Sequence, residues 1–263
     1  MNALLDGTAP DAEALAPLAF AGYAHFTAMQ VREGRIRGLD LHLTRLRTAS
    51  EALFGRAIAD DAILDYIRQA LVTAGDCSMT VTMHLPGGEF AVPAKDVQPR
   101  VLVRTGAPSS GPEGPLDLAV VTHERFNPAI KHVGEPAKTY YLRQAVAQGF
   151  DDAAFVDNTG RFTEATIWNL AFWDGTSVVW PEGEILTGTT MGIIRRNLDK
   201  LGVPQRTESV RPEDCGKYEG AVVMNSWTPG IAVRRLGTHD FRVAPEFVAV
   251  LHQAYAREEA VLP

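Results

Sequence analysis

A lysine set among apolar neighbours, Ala129-Ile130-Lys131-His132-Val133, and a glutamate closing a short run, Arg161-Phe162-Thr163-Glu164, are the residue types of Schiff-base chemistry. A free lysine is protonated at neutral pH and attacks poorly. Apolar walls or a neighbouring cation lower its pKa and release the amine as a nucleophile. A carboxylate nearby can keep a proton on the ring of an electron-sink cofactor. Lys138, a few residues on among Thr139, Tyr140 and Tyr141, is a rival amine. Plain structural readings stand beside these, because a strand glutamate is more often a solvated edge residue.

The elements that must hold these groups can be read from hydrophobic period. After Lys131, the spacing of Tyr141, Ala145 and Val146 predicts a helix with one apolar face, stopped by Gly149. Ala153 to Val156 reads as a buried strand, Asp157-Asn158-Thr159-Gly160 as a turn, and Arg161 to Glu164 as a second strand. Further on, Leu186-Thr187-Gly188-Thr189-Thr190 opens the helical pattern Gly192-Ile193-Ile194-Arg195-Arg196-Asn197-Leu198. A glycine turn into a helix aims backbone N–H groups and the helix dipole at an anion; threonine there is equally a common N-cap. Ala221 to Met224 predicts a strand running into Asn225-Ser226-Trp227-Thr228, and Pro245 to Glu259 an amphipathic helix.

Upstream, residues 1 to 16 show no period and are expected to be loosely held. Tyr23 to Val31 alternates as a strand and turns at Arg32-Glu33-Gly34-Arg35 into a hairpin. Asp40 is placed to cap a helix whose apolar positions are Leu39, Leu43, Leu46, Ala49 and Leu53, ended by Gly55. A second helix spans Ala62 to Ala74, with Asp60 or Asp61 as cap and Gly75 as stop; Met79 to His84 and Val101 to Arg104 predict a strand pair. Thr105 to Pro115 is nearly all small residues, glycine and proline. The expected division is therefore a domain over 1–107, a linker over 108–115 and a domain over 116–263.

Composition narrows the class. Of 263 residues, 46% are hydrophobic and 22% charged, as in ordinary globular chains. A net charge of −7 without a basic run argues against nucleic acid, and no apolar run reaches membrane-spanning length. The two cysteines, Cys77 and Cys215, form no disulfide framework and read as free thiols in a reducing cytoplasm. The seven histidines have no ligand spacing, so no metal is expected.

Taken in order, the blocks resemble the class IV (fold-type IV) pyridoxal-phosphate enzymes, the family of branched-chain and D-amino-acid aminotransferases and aminodeoxychorismate lyase. The resemblance rests on His42-Leu43-Thr44-Arg45-Leu46, Ile130-Lys131-His132, Gly149-Phe150-Asp151-Asp152-Ala153 with Val156-Asp157, Thr163-Glu164 with Asn169-Leu170, and the turn at Gly188. It runs from near Phe20 to near Arg235. It implies an α+β fold of the D-amino-acid-aminotransferase type: a small N-terminal α/β domain, a larger C-terminal one, pyridoxal 5′-phosphate between them, and a homodimer. It further implies Lys131 as the Schiff-base lysine, since the family spacing counted back from Asp151 lands there without a gap. Glu164 would pair with the pyridine nitrogen. Arg45, Gly188, Thr189, Thr190 and Ser226 would hold the phosphate. Phe26, His84 and Thr228 are weaker candidates for substrate contact. Three departures stand out: Met191 replaces an arginine, no arginine precedes Arg100 on the substrate side, and Glu135 or Pro136 stands where some relatives carry a tyrosine.

The expected function is thus a cytoplasmic aminotransferase acting on an amino acid or amine through Lys131 and yielding a keto acid. Phe26-Thr27-Ala28 and the lysine spacing lean toward a lyase instead. A cofactor-free binding protein on the same fold is the third reading, and joint retention of Arg45, Lys131 and Glu164 argues against it.

Overall fold

The computed structural model describes residues 2–19, 22–87, 90, 92, 94 and 96–263. The first elements are β1 (Asn2–Leu5), α1 (Ala12–Leu15), β2 (Ala24–Arg32), β3 (Arg35–Arg37), α2 (Leu39–Phe54), α3 (Asp60–Leu71), β4 (Cys77–His84) and β5 (Arg100–Gly106). Next come β6 (Leu116–Thr122), α4 (Pro136–Ala147), β7 (Asp152–Val156), β8 (Phe162–Ala165), β9 (Asn169–Trp173), β10 (Val178–Pro181) and α5 (Thr189–Leu198). The chain ends with β11 (Gln205–Glu208), β12 (Gly220–Asn225), β13 (Thr228–Leu236), β14 (His239–Asp240), α6 (Pro245–Ala256) and β15 (Ala260–Val261).

By compactness the chain forms two units. The first holds Met1–Ser109, Ile130–Glu135 and Glu259–Pro263; the second holds Ser110–Ala129 and Pro136–Glu258. The first crossing lies inside the glycine- and proline-rich stretch. A single cut there does not describe the division, because the segment carrying Lys131 and the last five residues rejoin the first unit.

In the first unit six strands pair in the order β1-β5-β4-β2-β3-β15. β2 alternates buried and half-buried residues, as a sheet with one packed face requires. Met29, Val31, Met79, Val81, Val101 and Val103 from the sheet meet Leu46, Phe54, Ile63 and Ile67 from α2 and α3. Each such side chain contributes about 1.5–3 kcal/mol on burial. The N-terminal residues are not loose: Asn2–Leu5 pairs antiparallel with β5, and Leu5 is buried. Gly38, not Asp40, occupies the N-cap of α2, and Asp40 lies in the first turn. The cap lies two residues further back because glycine adopts the left-handed conformation found there (φ 64°) at no steric cost. Ala59 likewise precedes α3, with Asp60 and Asp61 in its first turn, and α3 ends at Leu71, short of Gly75. The buried face of α2 also carries His42 and Ser50, polar residues that its apolar spacing does not announce.

The second unit is built on strands whose two faces are both covered, so they read as continuous apolar runs. Their order is β11-β10-β9-β12-β13-β6-β7-β8, and β8 pairs again with β9 through Glu164↔Asn169. That pair closes β9, β12, β13, β6, β7 and β8 into a ring. Alternation then sorts the side chains. Leu170, Phe172 and Val223 join the core with Phe162 and Leu118, whereas Ala171, Trp173, Val222 and Met224 meet α5 and α6 through Ile194, Phe247 and Leu251. α4 covers β6 and β7 with Ala145 and Tyr141. Val146, expected on that face, is 56% exposed, because the helix turns only a narrow stripe inward. Both cysteines are buried free thiols. Among the described residues no helix is long and apolar enough to cross a membrane, and no cluster of His, Cys, Asp and Glu could hold a metal.

Candidate functional site

Within the first unit, the segment from Ile130 to Gly134 runs beside β2. Phe26 N donates to Lys131 O at 3.0 Å, Val133 N donates to Ala24 O at 2.9 Å, and His25 and His132 form a β-bridge. This pairing fixes the backbone of Lys131 against Phe26 and lays Nζ 4.9 Å from the centre of the Phe26 ring. Phe26 and Lys131 are therefore brought together. An ammonium over a ring face is held by the ring quadrupole.

Next to them, Thr27 Oγ1 lies 2.6 Å from His42 Nδ1, and His25 Nε2 lies 2.8 Å from Ser50 Oγ. Burial, and then the charge of Arg45, push the His42 pKa down to about 3. Burial, and then His132, do the same for His25. Both rings are thus neutral at physiological pH. Arg45 is half-buried on α2, one helical turn from His42, a position from which a guanidinium can meet a phosphate. His84 is buried at the end of β4, and burial followed by the Arg100 charge holds its pKa below the usual histidine value.

Within the second unit, Glu164 is buried on β8 and accepts from Arg125 Nη1 at 3.0 Å. It is not a solvated edge residue, because the strand pairing that closes the ring turns it inward. Arg125 also donates to Pro128 O at 2.8 Å, and both members of the ion pair are nearly inaccessible. They line a cavity of about 190 Å³ with Asp157, Arg161, Thr163 and Glu184. Asp157 is bonded by Thr159 and Arg161. Burial alone would raise its pKa, but these donors outweigh it and hold it at about 2.

Across the sheet, Glu164 faces Asn169 on β9, and Asn169 faces Met224 on β12. Two strand spacings, roughly 10 Å, separate the ends of that row. Asn169 Nδ2 donates to Leu186 O at 2.8 Å, and Asn169 Oδ1 lies 2.0 Å from where a Cβ on Gly188 would stand. Only glycine lets the turn settle this closely. Gly188 is the N-cap of α5 and supplies no side-chain cap, so the first N–H groups of the helix, from Thr189 on, keep their donors for another acceptor. Thr190 Oγ1 donates to Asn225 O at 2.8 Å, which latches the β12–β13 turn, and Ser226 with it, to the start of α5.

Gly188, Thr189, Thr190, Asn169, Glu164 and the Ser226 turn are thus assembled in one unit. Thr228 is buried at the start of β13, with Oγ1 facing its own Gly230 N–H at 3.5 Å. Met191 is buried among Trp180, Ile194 and Val222, a core position where an arginine would lack a counter-charge. On α4, Tyr140 and Arg143 are exposed, and Tyr141 packs on His123 and Phe155. Lys138 lies half-buried in the first turn of α4, in the second unit, whereas Lys131 belongs to the first. Sequence reasoning missed Arg125 altogether, and it gave Asn169 no role. Both act through partners 39 and 17 residues away, which no local spacing signals.

These residues fit pyridoxal phosphate. In the second unit a buried carboxylate suits a ring nitrogen and an uncapped helix N-terminus suits a phosphate; in the first, Arg45 suits an anion and an amine against an aromatic face suits an aldehyde.

The family model described as "Amino-transferase class IV" matches residues 24–236. No curated protein sequence matches. Among solved structures, a branched-chain aminotransferase from Thermoproteus uzoniensis, crystallised with norvaline, superposes with a TM-score of 0.83 at 18% identity, over 98% of this chain and 94% of the other. A Legionella pneumophila protein provisionally named 4-amino-4-deoxychorismate lyase gives 0.80 at 20% identity, over 92% and 93%. A hypothetical aminotransferase from Mycobacterium tuberculosis, in its pyridoxal-phosphate-bound form, gives 0.77 at 17% identity, over 97% and 99%. At such identities these likenesses establish the α+β, fold-type IV architecture.

Proposed function

The chain belongs to the class IV aminotransferase family, and from that premise we propose that it transfers the amino group of an amino acid or amine, with Lys131 as its catalytic lysine. It is an enzyme of this class, and its cofactor is pyridoxal 5′-phosphate. The observation that carries the finer reading is the row in the second unit: buried Glu164 at one end, and at the other the Ser226 turn, latched to the uncapped start of α5.

Pyridoxal phosphate supplies an aldehyde that captures amines and a ring that withdraws electrons from the carbon beside them. The chain's own groups do the rest. Glu164 keeps a proton at the ring nitrogen. The α5 N–H groups, Ser226 and Arg45 are the groups that would hold a phosphate dianion. Lys131 Nζ would hold the aldehyde and serve as the general base for the substrate's α-proton. The Phe26 face keeps water from that amine. A lyase keeps every one of these roles, and Phe26-Thr27 supports it as the second reading. The proposal also includes a homodimer and a cytoplasmic setting, the latter supported by two buried free thiols.

The test is direct. Protein purified with pyridoxal phosphate is expected to show a visible absorption band, and borohydride reduction followed by peptide mapping is expected to place the mass tag on Lys131. A tag on Lys138, or no band, would overturn the assignment. Amino donors paired with keto-acid acceptors should then yield a new amino acid; release of pyruvate without an acceptor would instead establish the lyase.

A further inference from the structure

We infer that Arg125 is a positioning residue for Glu164: its charge holds the carboxylate ionised, so that the proton between Glu164 and the cofactor ring resides on the ring nitrogen. This rests on the reading of Glu164 given above.

The geometry is specific. Arg125 Nη1 makes two bonds, to Pro128 O at 2.8 Å and to Glu164 Oε1 at 3.0 Å. The first anchors the guanidinium to its own loop, and the second commits one carboxylate oxygen. Among the described residues no other donor reaches Glu164, which leaves Oε2 as the oxygen available to a ligand.

The other charged or titratable groups around the cavity do not take this role. Arg161 is committed to Asp157 at 2.9 Å, and Glu124 accepts from Asn158. His123 packs on Tyr141 and Phe155, and Glu184 is a like charge. Arg125 is therefore the cation that counters the burial of Glu164.

Its effect on a bound ring follows from electrostatics. A carboxylate buried without a cation is an uncompensated charge, whereas an adjacent arginine offsets it. A neutral Glu164 would take the proton from the ring nitrogen and weaken both cofactor binding and electron withdrawal. The cation lies 3.0 Å from Glu164. It penalises a protonated acid more than a protonated ring, and the proton is pushed outward.

The experiment compares wild type with Arg125→Gln, Arg125→Lys and the neighbouring control Arg161→Gln. Cofactor-stripped proteins are titrated with pyridoxal phosphate from pH 6 to 9, following tryptophan emission and the visible band. Arg125→Gln keeps donors for Pro128 O and Glu164 but carries no charge. It is expected to weaken binding about tenfold or more at pH 6, and less at pH 9, where removal of the counter-charge matters less to an acid. Arg125→Lys is expected to restore most of the affinity, and Arg161→Gln to change it little. Thermal melts show whether each variant folds, and Arg125→Lys carries the test on its own should Arg125→Gln not fold: it must match the pH profile of wild type. A loss in Arg125→Gln that is the same at every pH, or a lysine variant as impaired as the glutamine one, would overturn the inference. A wild type that binds no cofactor overturns the underlying reading as well, and the two failures are thereby told apart.

Discussion

At the scale of single residues, charge here is managed by burial and by pairing. Glu164 and Arg125 are buried together, and removing either would strand a charge. His25 and His42 show the opposite solution, staying neutral because burial denies them a proton. The unfolded chain takes up a proton on each below pH 6.5, whereas the folded chain does so only near pH 3. Stability from this source is complete above pH 6.5 and is lost as pH falls through that window, by up to about 1.4 kcal/mol per pH unit per histidine. Urea denaturation between pH 6.5 and 5 should therefore show stability falling with pH, with a slope smaller by about one proton in His42→Asn. An unchanged slope in the variant would mean that His42 is not the group responsible.

Elements matter through their ends. α5 is useful because its start is uncapped, and it is placed by two tethers, Asn169 to Leu186 O and Thr190 to Asn225 O. Gly188 sits between them, with Asn169 Oδ1 occupying the space of a side chain. Gly188→Ala must push aside a hydrogen-bonded asparagine, and the cost expected is about 1–3 kcal/mol, as for other overpacked sites. The same variant should bind pyridoxal phosphate more weakly, since the N–H groups shift with the turn. Gly75→Ala is the control, as a Cβ there meets nothing within 4 Å. Equal behaviour of the two alanine variants would remove the close approach from the account.

At the scale of the whole molecule, the proposal is a homodimer. Phe126, Tyr140 and Val146 in the second unit are 84%, 58% and 56% exposed. Apolar surface of this kind is what an interface buries. Light scattering should report twice the 28.6 kDa chain mass, and Phe126→Asp with Tyr140→Asp should shift the species toward one chain. A wild type that runs as a single chain at micromolar concentration refutes the dimer.

Hydrophobic period and turn residues were enough to read most strands and helices, including the strand at Ala153 to Val156 and the glycine stops at Gly55 and Gly149. These signals are local: a strand or helix exposes its own repeat within a few residues. The residue types of the candidate site, Lys131, Glu164, Arg45 and the Gly188 turn, were legible for a related reason, since their order along the chain matches one family. Folding alone supplied the partners. Arg125 reaches Glu164, Asn169 underlies Gly188, His25 pairs with His132, and Asn2–Leu5 becomes an edge strand, each through contacts between segments far apart in sequence. Hydrogen bonds and ion pairs between distant segments depend on which strands become neighbours. No local repeat carries that information, and for that reason the unit that Lys131 joins could be learned only from the folded chain.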